Sequence, residues 1–427
     1  MPSVERNKRL FIGYEPCYNS PILQTAKERS VSYMLNERMV GLGSSRSVIR
    51  ELFEYGKKRA AIVGAENVFD FSIGNPSVPA PASVNETVMR LIREEDSVLL
   101  HGYTSAQGDA AVRDTLAGSI NRRFGTDFTG DNLYCTMGAA AALCCCLNAM
   151  CCPGDEIVVI APFFPEYKVF IEGAGGKMAL VPADIDTFQI NFEALAKTIN
   201  AHTKGIIVNS PNNPCGVVYS EETVKKLSQL LEAKSAEYGH PIYLISDEPY
   251  REIVYDGVEV PYLTKYYKNT LVCYSYSKSL SIPGERIGYV VVPSAMDDWQ
   301  RVYAAVAGAG RSLGYVNASS LFQRVVAACA EDTADLAVYA KNRRILLDGL
   351  RAMGFTCVEP GGTFYLFPRS LEPDAVAFSE RAKAHDLLLV PGDGFGCPGH
   401  VRISYCVPTE RIKRALPVFE KLAKEYK

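Results

Sequence analysis

The stretch LVCYSYSKSLSIPGERIGYV, residues 271 to 290, joins two apolar runs through a serine-rich turn that carries Lys278, with a second cation, Arg286, further on. Lysine is seldom fully buried, so Lys278 taken alone reads as a solvated cation closing a strand. Its company decides otherwise. Short apolar runs recur between residues 130 and 295: EIVVIAP, KMALVPA, KGIIVNS, PIYLISD, TLVCYS and RIGYVVVP. Segments of helical period such as EETVKKLSQLLEAKSAEYG separate them. Runs that do not alternate, set between helices, predict parallel strands buried on both faces. The expected class is α/β, with a mostly parallel sheet flanked by helices.

A chain of 427 residues exceeds what one compact core usually fills, so two domains are expected. The formal net charge is −3 and the cations are dispersed, which leaves no footprint for nucleic acid or an anionic membrane. No apolar run approaches the ~18 residues of a bilayer span, and the opening MPSVERNKRLFIGYEP lacks the apolar core of a signal peptide, so a cytoplasmic protein is expected. Residues 1–33 read as an N-terminal extension, and a cleaner helical pattern opens at Met34. Thirteen cysteines include the cluster CCCLNAMCC, Cys144 to Cys152. Neighbouring helical positions point to different faces and no histidine lies near, so these read as small buried apolar side chains in a reducing compartment, not as a metal site. GAGRSLG, Gly308 to Gly314, has the glycines of a dinucleotide loop but follows a helical pattern, not a strand.

In a parallel sheet, ligands bind beyond the carboxyl ends of the strands. The run ends here carry Phe163 and Phe164, Asn213, Asp247 with Tyr250, and Ser275 with Lys278. A lysine amine there can form a Schiff base with an aldehyde, and an aldehyde cofactor with a phosphate tail also needs an anion site. Pyridoxal 5'-phosphate matches each group. A buried carboxylate would keep the pyridine nitrogen protonated, a phenol and an amide would bond the ring oxygen, an aromatic would stack on the ring, and serine with arginine would hold the phosphate. The helix opening after Gly138, with Ala139 and Ala140, is a second phosphate candidate through its free N–H groups, although alone it is only a good helix former. In isolation Tyr250 and Phe164 also read as core aromatics, Asp247 as a helix cap and Arg402 as a surface ion pair. Their ordered co-occurrence argues for chemistry.

From about residue 35 onward the sequence resembles the class I/II aminotransferases, the aspartate aminotransferase superfamily of fold-type I pyridoxal-phosphate enzymes. SYSKSLSIPGERIGY is similar to that family's lysine signature, NSPNNPCG to its asparagine turn, SDEPYREIVY to its aspartate-to-tyrosine segment, HGYTSAQGDAAVRDTLA to its Y-x-x-x-x-G segment and VRISYC to its C-terminal arginine motif. The resemblance implies a seven-stranded, mostly parallel sheet in a large domain and a smaller α+β domain. It implies an N-terminal segment at 34–74 contributing to the small domain and lid, a large cofactor-binding domain at 75–315 and a small domain at 316–427.

By the same resemblance Lys278 would be the Schiff-base lysine and general base, and Asp247 the partner of the pyridine nitrogen. Asn213 and Tyr250 would bond the ring oxygen, and Phe164 would stack on the ring. Ser275, Arg286 and the backbone of Gly138, Ala139 and Ala140 would hold the phosphate. Tyr103 would reach the phosphate of a neighbouring subunit, which implies a homodimer with shared sites. Arg402 would fork onto the substrate α-carboxylate, and Gly74 would line the pocket. Alanines stand where many relatives carry a hydroxyl or lysine in the phosphate loop, which weakens an aspartate assignment. Arg311 lies at the spacing of the arginine that dicarboxylate-specific relatives use, and Ser45, Arg46 and Ser47 fall in a lid-like segment.

The implied activity is a ping-pong aminotransferase, through pyridoxamine phosphate, between an L-amino acid and a 2-oxo acid such as 2-oxoglutarate. Aspartate-type donors are favoured, with aromatic and alanine donors open. A C–S β-lyase or β-decarboxylase on the same scaffold is the alternative, since fold and cofactor do not fix which bond breaks.

Overall fold

The computed structural model describes residues 35–44 and 47–427. The chain divides into two units, the second being Val48–Lys427. In the first, Glu37–Ser44 is a short helix whose Ser44 hydroxyl donates to the Val40 carbonyl at 2.7 Å. The expected extension at 1–33 and the lid positions Ser45 and Arg46 lie outside the described residues, and Ser47 belongs to the first unit.

The strands of the second unit are, in chain order, β1 (Phe69–Asp70), β2 (Leu133–Thr136), β3 (Glu156–Ile160), β4 (Lys177–Val181), β5 (Thr203–Asn209), β6 (Tyr243–Asp247), β7 (Thr270–Ser275), β8 (Gly288–Val291), β9 (Tyr365–Leu366), β10 (Leu387–Leu388), β11 (Val390–Pro391) and β12 (Val401–Ser404). A seven-stranded sheet runs β2-β8-β7-β6-β5-β3-β4. Strands β4, β3, β5, β6 and β7 are mutually parallel, whereas β8 is antiparallel to both β7 and β2. The run RIGYVVVP, expected as a parallel strand, is thus antiparallel. The chain after β7 makes a one-turn helix, Tyr276–Ser279, and a 3-10 turn, Pro283–Glu285, and then turns back, where a parallel neighbour would need a crossover to the other end of the sheet.

The non-alternating runs have a packing cause. On one face, Ile157, Val159, Ile207, Ile245 and Leu271 pack with Ala142, Leu143, Cys146 and Leu147 of the helix Ala139–Met150. On the other, Val158, Ile160, Ile206, Val208 and Leu244 pack with Leu227 and Leu231 of Glu221–Tyr238. Both faces of the central strands are covered, so their middle positions are mostly apolar, at about 1.5–3 kcal/mol for each large aliphatic side chain buried. Ser220 caps the second of these helices by accepting from the Thr223 N–H at 3.1 Å, and Gly239, at φ 71°, ends it.

Register gathers the strand ends. Asn209 stands opposite Asp247, Asp247 opposite Cys273, and Gly288 opposite both Ser275 and Thr136. A Cβ at Gly288 would lie 2.1 Å from the Tyr274 carbonyl and 3.1 Å from the Gly138 Cα, so only glycine lets the β2–helix turn close onto β8.

Behind this sheet edge sits a second core, in which Tyr339, Leu346 and Leu350 pack with Phe364, Leu387, Val401, Phe419 and Leu422 around the antiparallel set β11-β12-β9. Residues before the large sheet join it: β1 pairs with β10, Leu52 packs with Phe367, Val390 and Phe395, and Arg59 bonds Asp386 at 2.6 Å. The helix Ser320–Ala328, just past the expected boundary at 315/316, packs Val325 and Val326 beside Val84, Leu91 and Leu116.

Of the clustered cysteines, Cys145 and Cys146 are buried, while Cys152 is exposed, contrary to the buried reading. No group of candidate metal ligands occurs among the described residues. GAGRSLG begins inside the helix Trp299–Ser312, not after a strand. No helix among the described residues is long and apolar enough to cross a membrane.

Candidate active site

The one-turn helix that begins where β7 ends brings Lys278 inward, half-buried, and its Nζ donates to the Gly74 carbonyl at 2.7 Å. The same nitrogen lies 5.9 Å from the Tyr250 ring centroid and 5.4 Å from that of Phe364. Burial lowers its pKa from 10.5 to about 8, against an opposing push from Cys406 and with smaller downward pushes from the nearby Arg402 and Arg286 charges. An amine so placed is still mostly protonated at pH 7 but reaches its neutral form far more readily than an ordinary lysine, as nucleophilic and proton-transfer chemistry require.

Asp247 ends β6 and is buried. Its Oδ2 accepts from the Tyr167 hydroxyl at 2.5 Å, while its Oδ1 is buried with no partner among the described residues. Burial raises this carboxyl to about 7, against the opposing Tyr167 hydrogen bond and with a smaller upward push from Glu248. Phe164 stands edge-on to Tyr167, ring centroids 5.7 Å apart, while Phe163 is buried in the core.

Gly138, at φ 81°, opens the helix Ala139–Met150, whose first N–H groups lack intrahelical acceptors. Arg286 packs against this turn: a Cβ at Gly138 would stand 2.7 Å from its Nη2. Its Nη1 donates to Ser277 Oγ at 3.2 Å, and Ser277 Oγ is 2.7 Å from Ser275 Oγ. Two hydroxyls, a guanidinium and a helix N-terminus thus form one anion cradle.

Arg402, on β12, is 2% exposed. Its Nη1 donates to Asn213 Oδ1 at 3.1 Å and its Nη2 to the Ser72 carbonyl at 2.5 Å, and its Nε is buried with no partner. Its guanidinium lies 4.7 Å from the Tyr365 ring centroid. No carboxylate among the described residues pairs with it, and a buried guanidinium without a counter-anion is costly. That arrangement suits an incoming carboxylate.

The structure therefore brings together Lys278, Gly74, Tyr250, Asn213 and Arg402 through a chain of contacts by way of Tyr365, Asp247 with Phe164 through Tyr167, and Ser275, Arg286 and Gly138 at the anion cradle. Two expected residues stand apart within one chain. Tyr103 is 98% exposed, and Arg311 is exposed in the last turn of Trp299–Ser312, its side chain making no hydrogen bond or ion pair among the described residues. Three contributors were missed in the sequence: Tyr167, Tyr365 and Ser277. Tyr167 lies just past the run EIVVIAP and Tyr365 on β9, but only the fold reveals that they touch Asp247 and Tyr250.

These residues fit pyridoxal phosphate. The unpartnered Asp247 Oδ1 is a carboxyl oxygen waiting for an N–H, the cradle is an anion site, and Lys278 is a half-buried amine whose pKa is lowered to about 8. A lysine, carboxyl and anion cradle on one edge of this sheet define a fold-type I pyridoxal-phosphate enzyme.

Comparison narrows that class. Residues 66–419 match the family described as aminotransferase class I and II, and the chain belongs to it. A probable aspartate/prephenate aminotransferase from Thermus aquaticus is 30% identical over 361 residues, spanning 81% of this chain and 89% of the relative. A crystal structure of an aminotransferase from Eubacterium rectale superposes with a TM-score of 0.91 at 61% identity, covering 92% of this chain and 99% of that one. The aspartate aminotransferase of Thermus thermophilus, solved with maleate, gives a TM-score of 0.79 at 26% identity over 91% of this chain and 99% of that one. The protein is a pyridoxal-phosphate-dependent aminotransferase, and none of these relatives favours the lyase alternative.

Proposed function

We propose that this aminotransferase exchanges the amino group of a dicarboxylic L-amino acid, aspartate first, with a 2-oxo acid such as 2-oxoglutarate. The observation that carries amino-acid binding in this reading is the buried Arg402 guanidinium, which has only amide and carbonyl acceptors and sits near the Lys278 amine, whose pKa burial lowers to about 8. A substrate α-carboxylate accepting two N–H bonds from it would satisfy the site with fixed geometry. The aspartate-named relatives and the maleate in the Thermus thermophilus structure support a dicarboxylate.

When bound, the cofactor supplies an electron sink that labilises the substrate Cα proton and carries the amino group. The chain does the rest. Lys278 would anchor the cofactor and, once released, move the proton at Cα, with its amine held on the Gly74 carbonyl. Asp247, steadied by Tyr167, would face the pyridine nitrogen, Phe164 the ring, and Tyr250 with Asn213 the ring oxygen. Ser275, Ser277, Arg286 and the N–H groups after Gly138, at Ala139 and Ala140, would hold the phosphate.

The full exposure of Tyr103, with Val98 at 79% and Leu99 at 66% nearby in sequence, supports a homodimer in which Tyr103 completes the neighbouring phosphate site and Arg311 meets the distal carboxylate. The separate cores support a large cofactor-binding domain that opens at residue 75 and a small C-terminal domain to which residues 48–74 contribute, with the helix Ser320–Ala328 packed in the large-domain core.

The test is a half-reaction screen in which loss of the lysine-bound cofactor's visible absorbance is followed against each amino acid in turn. Aspartate and glutamate should bleach it fastest, and 2-oxoglutarate should restore it. Sustained release of pyruvate or ammonia without any oxo acid would overturn the transferase reading.

A further inference from the structure

Tyr365 opens β9, is buried, and touches three parts of the site. Its hydroxyl is 3.0 Å from that of Tyr250. Its ring carries the Arg402 guanidinium. A Cβ at Gly74 would stand 1.8 Å from the same hydroxyl, so the pocket glycine closes directly onto it.

Two phenols in contact can arrange their protons in two ways. If Tyr250 donates to Tyr365, the Tyr250 proton is spent on a neighbour. If Tyr365 donates, Tyr250 keeps its own proton for another acceptor. The surroundings favour the second arrangement. The charged and titratable groups facing the pair are Arg402 on β12, Lys278 after β7, Asp247 at the end of β6, and the Cys406 thiol just after β12. Burial pushes both phenols up, and Tyr250 well up. Arg402 pulls both down, with its guanidinium on the Tyr365 ring itself, while Asp247 pushes Tyr250 further up and Cys406 pushes Tyr365 up. Tyr365 is thereby the more acidic phenol and the better donor.

We propose that Tyr365 is a positioning residue for Tyr250: it donates to the Tyr250 oxygen and so turns the Tyr250 proton toward the ring oxygen of the cofactor. This rests on the role assigned to Tyr250 above. A donor that itself accepts a hydrogen bond is polarised and donates more strongly. A stronger bond to the ring oxygen favours its deprotonated form, so the visible absorbance of the lysine-bound cofactor titrates at lower pH. Because the Tyr365 ring rather than its hydroxyl supports Arg402, removing only the hydroxyl leaves the carboxylate site intact.

The experiment uses four holoenzymes: wild type, Tyr365→Phe, Tyr250→Phe and the double variant. Cofactor content and melting temperature are measured on each to establish that it is folded and loaded. Expected for Tyr365→Phe is a rise of about half a pH unit in the absorbance midpoint, roughly threefold in the protonation constant. The KM for aspartate should stay within about twofold while kcat falls about threefold or more. Tyr365→Phe should add no shift in the Tyr250→Phe background. An unchanged midpoint in Tyr365→Phe beside a shifted one in Tyr250→Phe overturns the inference and leaves the Tyr250 role standing. An equal further shift in the double variant also overturns it, since Tyr365 would then act independently. No shift in Tyr250→Phe removes the Tyr250 assignment and the inference with it.

Discussion

Asp247→Asn should stabilise the cofactor-free protein while weakening its hold on the cofactor, and the size of the effect should depend on pH. The wild-type carboxyl goes from 3.8 to about 7 on burial, with Oδ1 unpartnered. A raised carboxyl leaves folding unpenalised below about pH 4, and stability is lost as pH climbs from there through about 7. With those two values the loss is about 2 kcal/mol at pH 5 and about 4 kcal/mol at pH 8.5. Asparagine does not titrate and can still accept from Tyr167. The stability difference between variant and wild type should therefore grow by about 2–3 kcal/mol in the variant's favour between those pH values. Lys278 titrates too, with the opposite sign. Its depressed value burdens the fold below about 8, and stability recovers as pH rises toward 10.5. That contribution is common to both proteins and cancels in the difference. Urea unfolding of both cofactor-free chains at fixed concentration, followed by far-ultraviolet circular dichroism, measures it. A variant-minus-wild-type difference that is the same at pH 5 and pH 8.5 would refute the reasoning, because any packing defect from asparagine is independent of pH.

Lys278→Ala should abolish the lysine-bound absorbance and lower turnover by at least about 10³-fold, and trapping of the cofactor by borohydride at a different lysine would refute its assignment. Arg402→Lys keeps the charge but loses the planar fork, so the KM for aspartate should rise about 10- to 100-fold in steady-state assays. Gly74→Ala would drive a methyl into the Tyr365 hydroxyl and should cost about 1–3 kcal/mol in thermal unfolding or a comparable share of activity. Arg311→Ala should weaken aspartate and glutamate at least about tenfold more than alanine or phenylalanine, and an equal effect on all four would exclude it from the substrate site.

Groups whose chemistry is tied to a strand end were legible in the sequence. Asp247, Asn213, Ser275 and Lys278 follow apolar runs, and a parallel sheet gathers such ends at one edge whatever the connections are. The reversed direction of β8 was not legible, because a run buried on both faces looks the same in either direction. Nor were Tyr167 and Tyr365 as site residues. One lies a helix turn beyond Phe164 and the other on β9, so their contacts with Asp247 and Tyr250, 80 and 115 residues away in sequence, exist only once the chain has folded. Arg311 and Tyr103 were legible as candidates by spacing, yet one chain leaves both exposed.

The groups that emerge from the three-dimensional structure share a cost. Asp247 carries a buried oxygen without a donor, Arg402 a buried guanidinium without an anion, and Lys278 an amine held below its ordinary pKa. Each is destabilising alone, and each is of opposite character to one part of the ligands: the ring N–H, the substrate carboxylate, the cofactor aldehyde. Binding them relieves the strain where it was stored, so loading should stabilise the fold more than contact area alone predicts. The same opposition explains why the phosphate end is different in kind. Ser275, Ser277 and Arg286 already satisfy one another, so the cradle can stand assembled without its anion while the reactive end cannot. Removing one member of the cradle is accordingly expected to lower cofactor affinity and cofactor-free stability together, because it strands a buried partner, whereas Asp247→Asn moves the two in opposite directions.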